Sequence, residues 1–185
     1  MRNPAALRGA GGRRRRDALI VRSERSGDVA AIRDVNLAAF ETAVEADLVD
    51  ALRVQAPPIV SLVADDSGSI VGHILFSPVL LSGASDLKIM GLAPMAVVPR
   101  RQQEGIGSAL VCAGLDACRQ LGFGAVVVLG HAGYYPRFGF VPASRFGIKS
   151  EYDVPDDVFM AAELERGALS GVSGTIRYHS AFPNA

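Results

Sequence analysis

The sequence predicts an α/β fold, and three observations carry that prediction. Two β-rich runs, Ile59 to Ala64 and Ile70 to Val79, face each other across Asp65-Asp66-Ser67-Gly68, a turn signal that pairs them as a hairpin. The stretch from Met95 to Leu110 reads as a strand that passes through a glycine-rich loop into a helix. Val126, Val127 and Val128 form a continuous β-branched run, the pattern of a strand covered on both faces.

The remaining elements follow in chain order. Ala18 to Arg22 is a short strand, and Asp28 to Phe40 places apolar residues at helical spacing behind an Asp28 cap. Glu45 to Arg53 is a second helix, stopped near Pro57-Pro58 because proline cannot continue the hydrogen-bond ladder. After the hairpin, Ser85-Asp86 opens a strand running to Val98. From Gly105 to Gln120 the set Ile106, Ala109, Leu110, Ala113 and Ala117 makes one helix face, ended by Gly122. A short helix is expected after Gly130, then strands around Phe140 and from Phe159 to Leu164.

Composition narrows the class. At 185 residues and 49% hydrophobic content, the chain has enough apolar material for one core without disulfides or metals. The expectation is one domain over 18–185, preceded by a disordered arginine-rich tail over 1–17. Six arginines precede the first acid, Asp17, so the neutral total conceals a body with 13 basic and 19 acidic residues. A nucleic-acid reading would rest on that tail alone, because the body has no basic stripe interleaved with aromatics. No apolar run approaches the roughly 18 to 20 residues of a membrane span, and the segment after Arg16 is too short for a secretory signal. A cytoplasmic location is therefore expected. Cys112 and Cys118, six apart in a helical pattern, point to different faces and read as buried small hydrophobes in a reducing compartment. The three histidines have no partners at ligand spacing, so no metal is expected.

The strand-to-helix junction carries the chemistry. The loop offers closely spaced backbone N–H groups, and the helix behind it leaves its first N–H groups unpaired with the positive end of its dipole facing a ligand. Gly105 and Gly107 let the backbone approach phosphate oxygens closely. A P-loop is excluded because no lysine lies between Lys88 and Lys149, and Leu110 stands where a dinucleotide fingerprint needs its third glycine. The run Gln102-Gln103-Glu104-Gly105-Ile106-Gly107 fits Arg/Gln-x-x-Gly-x-Gly/Ala and resembles the coenzyme A pyrophosphate loop of the GNAT family of N-acetyltransferases. Tyr134-Tyr135-Pro136-Arg137-Phe138-Gly139-Phe140 resembles the same family's Tyr-x-x-x-Gly-Phe element. Gly72 to Phe76, Val128 to Gly130 and Arg177 to Phe182 are similar to the YhbS-like bacterial subgroup, so the resemblance runs from about Leu19 to Phe182.

That resemblance implies an α/β fold of the GNAT (acyl-CoA N-acyltransferase) kind, a mixed central sheet of about six or seven strands flanked by helices and splayed where acyl-CoA enters. It implies acetyl transfer from acetyl-CoA to a primary amine by direct attack in a ternary complex. The implied coenzyme contacts are Met95, Ala96 and Val97 on the strand, and Gln102, Gln103, Glu104, Gly105, Ile106, Gly107 and Ser108 in the loop. Arg100 and Arg101 are candidates for phosphate contact. Tyr135, four residues before Gly139, is the implied general acid for the departing thiolate, with Tyr134 competing at one residue's remove. In one departure from the family pattern, Leu87 to Val98 contains no Asp or Glu to act as general base. Glu41, His73 and His131 are the alternatives, and Glu41, Glu45, Glu151 and Asp153 are acids that would attract a cationic acceptor. The departure also leaves open a non-catalytic acyl-CoA-binding regulator. No motif names the acceptor or the acyl-chain preference, and a homodimer is one of the allowed assemblies.

Overall fold

The computed structural model describes residues 19–83 and 86–183. The arginine-rich tail and Ser85, the expected opening of the fourth strand, lie outside these residues. The elements are β1 (Ile20–Ser23), α1 (Val29–Ala39), α2 (Val44–Gln55), β2 (Val60–Asp66), β3 (Ser69–Leu81), β4 (Ile89–Val97), α3 (Ile106–Gln120), β5 (Ala125–Leu129), β6 (Val141–Pro142), β7 (Ile148–Ser150), β8 (Phe159–Glu163) and β9 (Gly174–Arg177). The sheet runs β1-β2-β3-β4-β5-β8-β6, and β9 pairs with the far end of β3 while carrying β7. Most pairs are antiparallel, whereas β4 with β5 and β7 with β9 are parallel. α3 forms the crossover from β4 to β5, the connection a parallel pair requires.

Local chemistry explains the elements the sequence predicted. The β2–β3 hairpin turns on Ser67 and Gly68, both at positive φ, and the Asp65 carboxylate accepts the Gly68 N–H at 2.7 Å. Asp28 does not cap α1. A 3₁₀ turn over Ser26–Asp28 precedes the helix, so the Asp28 carboxylate reaches back to the Arg25 N–H at 2.7 Å and pairs with Arg22 at 2.6 Å. Arg22 also holds Asp65 at 3.0 Å, tying β1, the start of α1 and the hairpin together, and it keeps the Asp28 carboxyl down at about 2.

Two apolar clusters grip the sheet from opposite faces. On one, Ile74, Phe76, Met90, Val126 and Val128 pack against Ile106, Leu110, Val111, Leu115 and Cys118 of α3. On the other, Val63 and Leu75 meet Ile32 of α1 and Leu48, Val49 and Leu52 of α2. A third cluster joins the ends of β3, β5 and β8 to β7 and β9. The buried face of α3 is Ile106, Leu110, Val111, Gly114, Leu115 and Cys118, rotated from the expected one so that Ala109, Ala113 and Ala117 sit at its margin. The reason is Gly114: a Cβ there would stand 2.2 Å from Phe76 Cε2, so the helix presses its backbone onto that ring. Cys112 correspondingly faces solvent, correcting its expected burial, whereas Cys118 is buried and its thiol pushed up to about 12 by that burial. Among the described residues no helix is long and apolar enough to cross a membrane.

Gly114→Ala sets two effects against each other. Alanine gains about 1 kcal/mol in helix propensity, whereas the clash costs the upper part of the ~1–3 kcal/mol typical of overpacking. The expected outcome is a net loss of about 2 kcal/mol in urea unfolding, partly recovered when Phe76→Leu is added.

Candidate active site

The site begins where β4 leaves β5. Their ladder runs from the Ile89–Ala125 pair to the Leu92–Val128 pair and stops. On the other side of β4, the register with β3 shifts between Ile74 and Phe76, so Ala93 and Pro94 bulge opposite Leu75. Pro94 has no N–H to offer a neighbour. Beyond the bulge, β4 pairs with β3 again through Met95, Ala96 and Val97. Val98 donates its N–H to the Val71 carbonyl at 3.0 Å. Antiparallel alternation then turns the Ala96 backbone toward β3 and leaves the N–H groups of Met95 and Val97 facing the gap that β5 vacates. Of the three strand residues expected to contact the coenzyme, Met95 and Val97 line the gap and Ala96 is buried against its partner strand.

The loop after β4 is shaped by two left-handed residues. Pro99–Arg101 form a 3₁₀ turn, Gln103 has φ +65° and Gly105 has φ +86°. Gln103 is not glycine, so its conformation stores strain on the order of 1 kcal/mol, a cost found where backbone N–H groups are held for a ligand. The Gln102 side chain donates to the Val97 carbonyl at 3.1 Å and anchors the loop on the strand. The first intrahelical bond of α3 runs from the Ala109 N–H to the Gly105 carbonyl at 3.0 Å. The N–H groups of Ile106, Gly107 and Ser108 are thus the helix's free donors.

These parts enclose a cleft of about 780 Å³ lined by Met95, Val97, Gln102, Gln103, Gly105 to Ser108, His131, Tyr134, Tyr135 and Arg137, among others. Arg101 touches it but is held by Asp66 and, at 2.7 Å, by Glu104, so its charge serves the loop. Glu104 is the expected loop residue that does not line the cleft, because its carboxylate turns to Arg101. Arg137, which was not singled out as a site residue, stands 4.7 Å over the Tyr134 ring and pairs with no carboxylate among the described residues. Its signal in the sequence was its place inside the Tyr-x-x-x-Gly element. Tyr135 is buried, its ring occupying the space a Cβ on Gly130 would need (2.2 Å) and meeting Phe140 edge-on. Burial, with the neighbouring Tyr134 adding to it, raises its phenol to about 12, which keeps the proton on at neutral pH.

The candidate bases do not converge. His73 is fully buried behind β4, paired in register with Ala96 and outside the cleft. Its Nε2 lies 3.0 Å from Ser61 Oγ, which donates to Glu24, so Nε2 carries the proton and Nδ1 accepts from Asn36 Nδ2 at 3.3 Å. Burial, and the charge of Arg53, push it down to about 3. His73 is thus a neutral core hydrogen-bonding residue. Glu41 is exposed in the connection between α1 and α2 and does not line the cleft. Of the alternatives only His131 does. Of the acids expected to attract a cationic acceptor, Glu41, Glu45, Glu151 and Asp153, none lines the cleft, and Glu151 is taken up by the Tyr178 N–H at 2.6 Å and Arg177 at 3.1 Å. Among the described residues no group of three His, Cys, Asp or Glu is placed to hold a metal ion.

A parallel strand pair that parts beside a left-handed loop and a free helix N-terminus leaves an open, donor-lined cleft, the arrangement that the resemblance to acyl-CoA transferases implies, and comparison with known proteins agrees. Residues 29–140 match the model of the Acetyltransferase (GNAT) family, and the chain belongs to that family. It is 36% identical over 165 residues to the uncharacterized N-acetyltransferase YhbS of Escherichia coli K12, covering 89% of this chain and 98% of that one. The crystal structure of Escherichia coli YhbS in complex with CoA superimposes with a TM-score of 0.84 at 33% identity, over 98% of this chain and 96% of that chain. A GNAT acetyltransferase from Brucella melitensis in complex with acetyl-CoA gives 0.74 at 38% identity, over 90% and 99%.

The His73 environment sets a pH dependence with a definite sign. Between about 3 and 6.5 the unfolded chain takes up a proton that the folded chain refuses. Stability from this residue is therefore complete above about 6.5 and declines as pH falls, by up to ~1.4 kcal/mol per unit. Gln cannot titrate but keeps an N–H for Ser61, so the stability lead of wild type over His73→Gln is expected to shrink between pH 6.5 and 4. A gap that stays constant across that range in chemical denaturation would contradict the assignment.

Proposed function

We propose that this protein transfers an acetyl group from acetyl-CoA to a primary amine by direct attack. The observation that carries the reading is the open edge of β4, where the Met95 and Val97 N–H groups face a cleft that continues onto the free N-terminus of α3. A phosphate chain on Gln103 to Ser108 would run its pantetheine arm along that edge by strand-like pairing. The relatives bound to CoA and acetyl-CoA support the same ligand for this cleft. Two unbridged cysteines fit a cytoplasmic setting.

In the reaction the amine nitrogen bonds to the thioester carbonyl carbon and the carbon–sulfur bond breaks. The Met95 or Val97 N–H stabilises the oxygen as it gains charge, the amine gives up a proton, and the sulfur takes one. Tyr135 lines the cleft and carries its proton at neutral pH, which makes it the donor to sulfur in this reading. His131, the candidate base on the cleft wall, receives the amine proton directly or through water. A second reading, a non-catalytic acyl-CoA-binding regulator, rests on one specific observation: no carboxylate lines the cleft among the described residues.

Titration calorimetry separates these readings. Acetyl-CoA and CoA are expected to bind with micromolar affinity and ATP not at all, and Gly105→Val is expected to weaken acetyl-CoA at least tenfold, because a β-branched residue resists φ +86°. Failure of both CoA species to bind would remove the proposal. Released thiol on an amine panel then decides between enzyme and regulator. In the enzyme, Tyr135→Phe is expected to lower kcat by about 10²-fold with little change in KM, and His131→Ala to lower kcat while acetyl-CoA still binds. Binding without turnover on any amine would favour the regulator.

A further inference from the structure

The two adjacent tyrosines address different parts of the cleft. Their rings stand edge to face at 87°, with centroids 5.1 Å apart. Tyr135 turns into the wall, against Gly130 and Phe140. Tyr134 turns toward the start of α3: its hydroxyl lies 3.5 Å from Ser108 Oγ and 2.9 Å from where a Cβ on Gly107 would stand. Gly107 is therefore constrained twice, by the need for backbone approach to a ligand and by the phenol beside it. The Tyr134 ring is held from two sides, by Phe138 with centroids 5.4 Å apart and by the Arg137 guanidinium stacked 4.7 Å over its face. Arg137 is itself steadied by the Gly133 carbonyl at 3.3 Å. The other guanidinium on the cleft, Arg101, is already engaged by Asp66 and Glu104.

We propose that Tyr134 and Arg137 form a second wall of the phosphate site, facing the α3 N-terminus, and that they bind the diphosphate of the CoA substrate. This rests on the acetyl-CoA reading above and assigns Tyr134 to positioning, leaving Tyr135 as the proton donor. The chemistry matches the ligand. The free N–H groups of Gly107 and Ser108 cover one side of a dianion with uncharged donors, and the opposite side is supplied with a hydroxyl donor and a full positive charge. A hydroxyl at the helix N-terminus is also poorly placed to reach a sulfur that must sit by the β4 edge, because the diphosphate and the thiol are at opposite ends of the pantetheine arm.

The test is the affinity of the full-length protein for CoA and for 3′-dephospho-CoA, measured by calorimetry in wild type, Tyr134→Phe and Arg137→Gln. Phenylalanine keeps the ring and its packing and removes only the hydroxyl, and Arg137→Gln probes the same site through an exposed side chain that the fold does not bury. Each variant is expected to raise Kd about tenfold for both ligands, the loss of a hydrogen bond or charge pair to an ionised group. Wild-type affinity in both variants would overturn the proposal while leaving the acetyl-CoA reading intact. A loss confined to CoA would overturn it too, by moving the pair to the 3′-phosphate. A wild-type protein that binds neither ligand would instead remove the acetyl-CoA reading itself.

Discussion

The parting of β4 from β5 after the Leu92–Val128 pair is the constraint on which the rest of the site is built. A parallel ladder interrupted in mid-sheet leaves strand donors unpaired, and unpaired donors in a protein interior cost free energy unless something satisfies them. Here the interruption has local causes: a bulge opposite Leu75 and a proline without an N–H at position 94. Continued pairing with β3 holds the freed edge in strand geometry, so the Met95 and Val97 donors stay in register.

The two ends of the gap are braced by contacts from opposite faces of the sheet. In front, α3 is pressed onto Phe76 through Gly114, and its first two turns lie over Gly72 through Ile106 and Leu110, which fixes the height of the helix N-terminus relative to β4. Behind, Glu24, Ser61, His73 and Asn36 form a hydrogen-bonded chain across β2 and β3 to α1, backing the strand at Ala96. Arg53 closes that chain at the surface by pairing with Glu24 at 2.6 Å and Asp50 at 2.7 Å. A polar chain of this kind is costly to break and rigid while intact, a property suited to the back wall of a site whose donors must not move.

Charge is arranged so that few groups at the cleft remain available to a ligand. Arg101 is spent on the loop by an acid from the hairpin and one from the loop itself, and Glu104 is drawn out of the cleft by the same pair. What remains on the lining is a set of backbone donors, the Ser108 hydroxyl, the Gln103 side chain, two phenols, His131 and Arg137. That set favours an anionic ligand over a cationic one, in line with the ligand proposed.

The sequence by itself determined the elements and the junction. The β2–β3 hairpin, the strand–loop–helix order and the buried β5 run follow from turn chemistry, left-handed glycine positions and hydrophobic period, all of which act within a few residues. The tertiary structure alone decided how those elements meet. That β4 pairs with β5 for four residues and then leaves it is a matter of register between segments more than thirty residues apart. Asp66, distant in sequence, engages Arg101, and the burial of His73 depends on Ser61 and Asn36 arriving from two other elements. Even adjacent Tyr134 and Tyr135 are separated by what surrounds their rings, since Gly130 receives one and the start of α3 the other. Local rules do not reach such contacts, because the energy that selects them comes from packing and desolvation between distant parts of the chain.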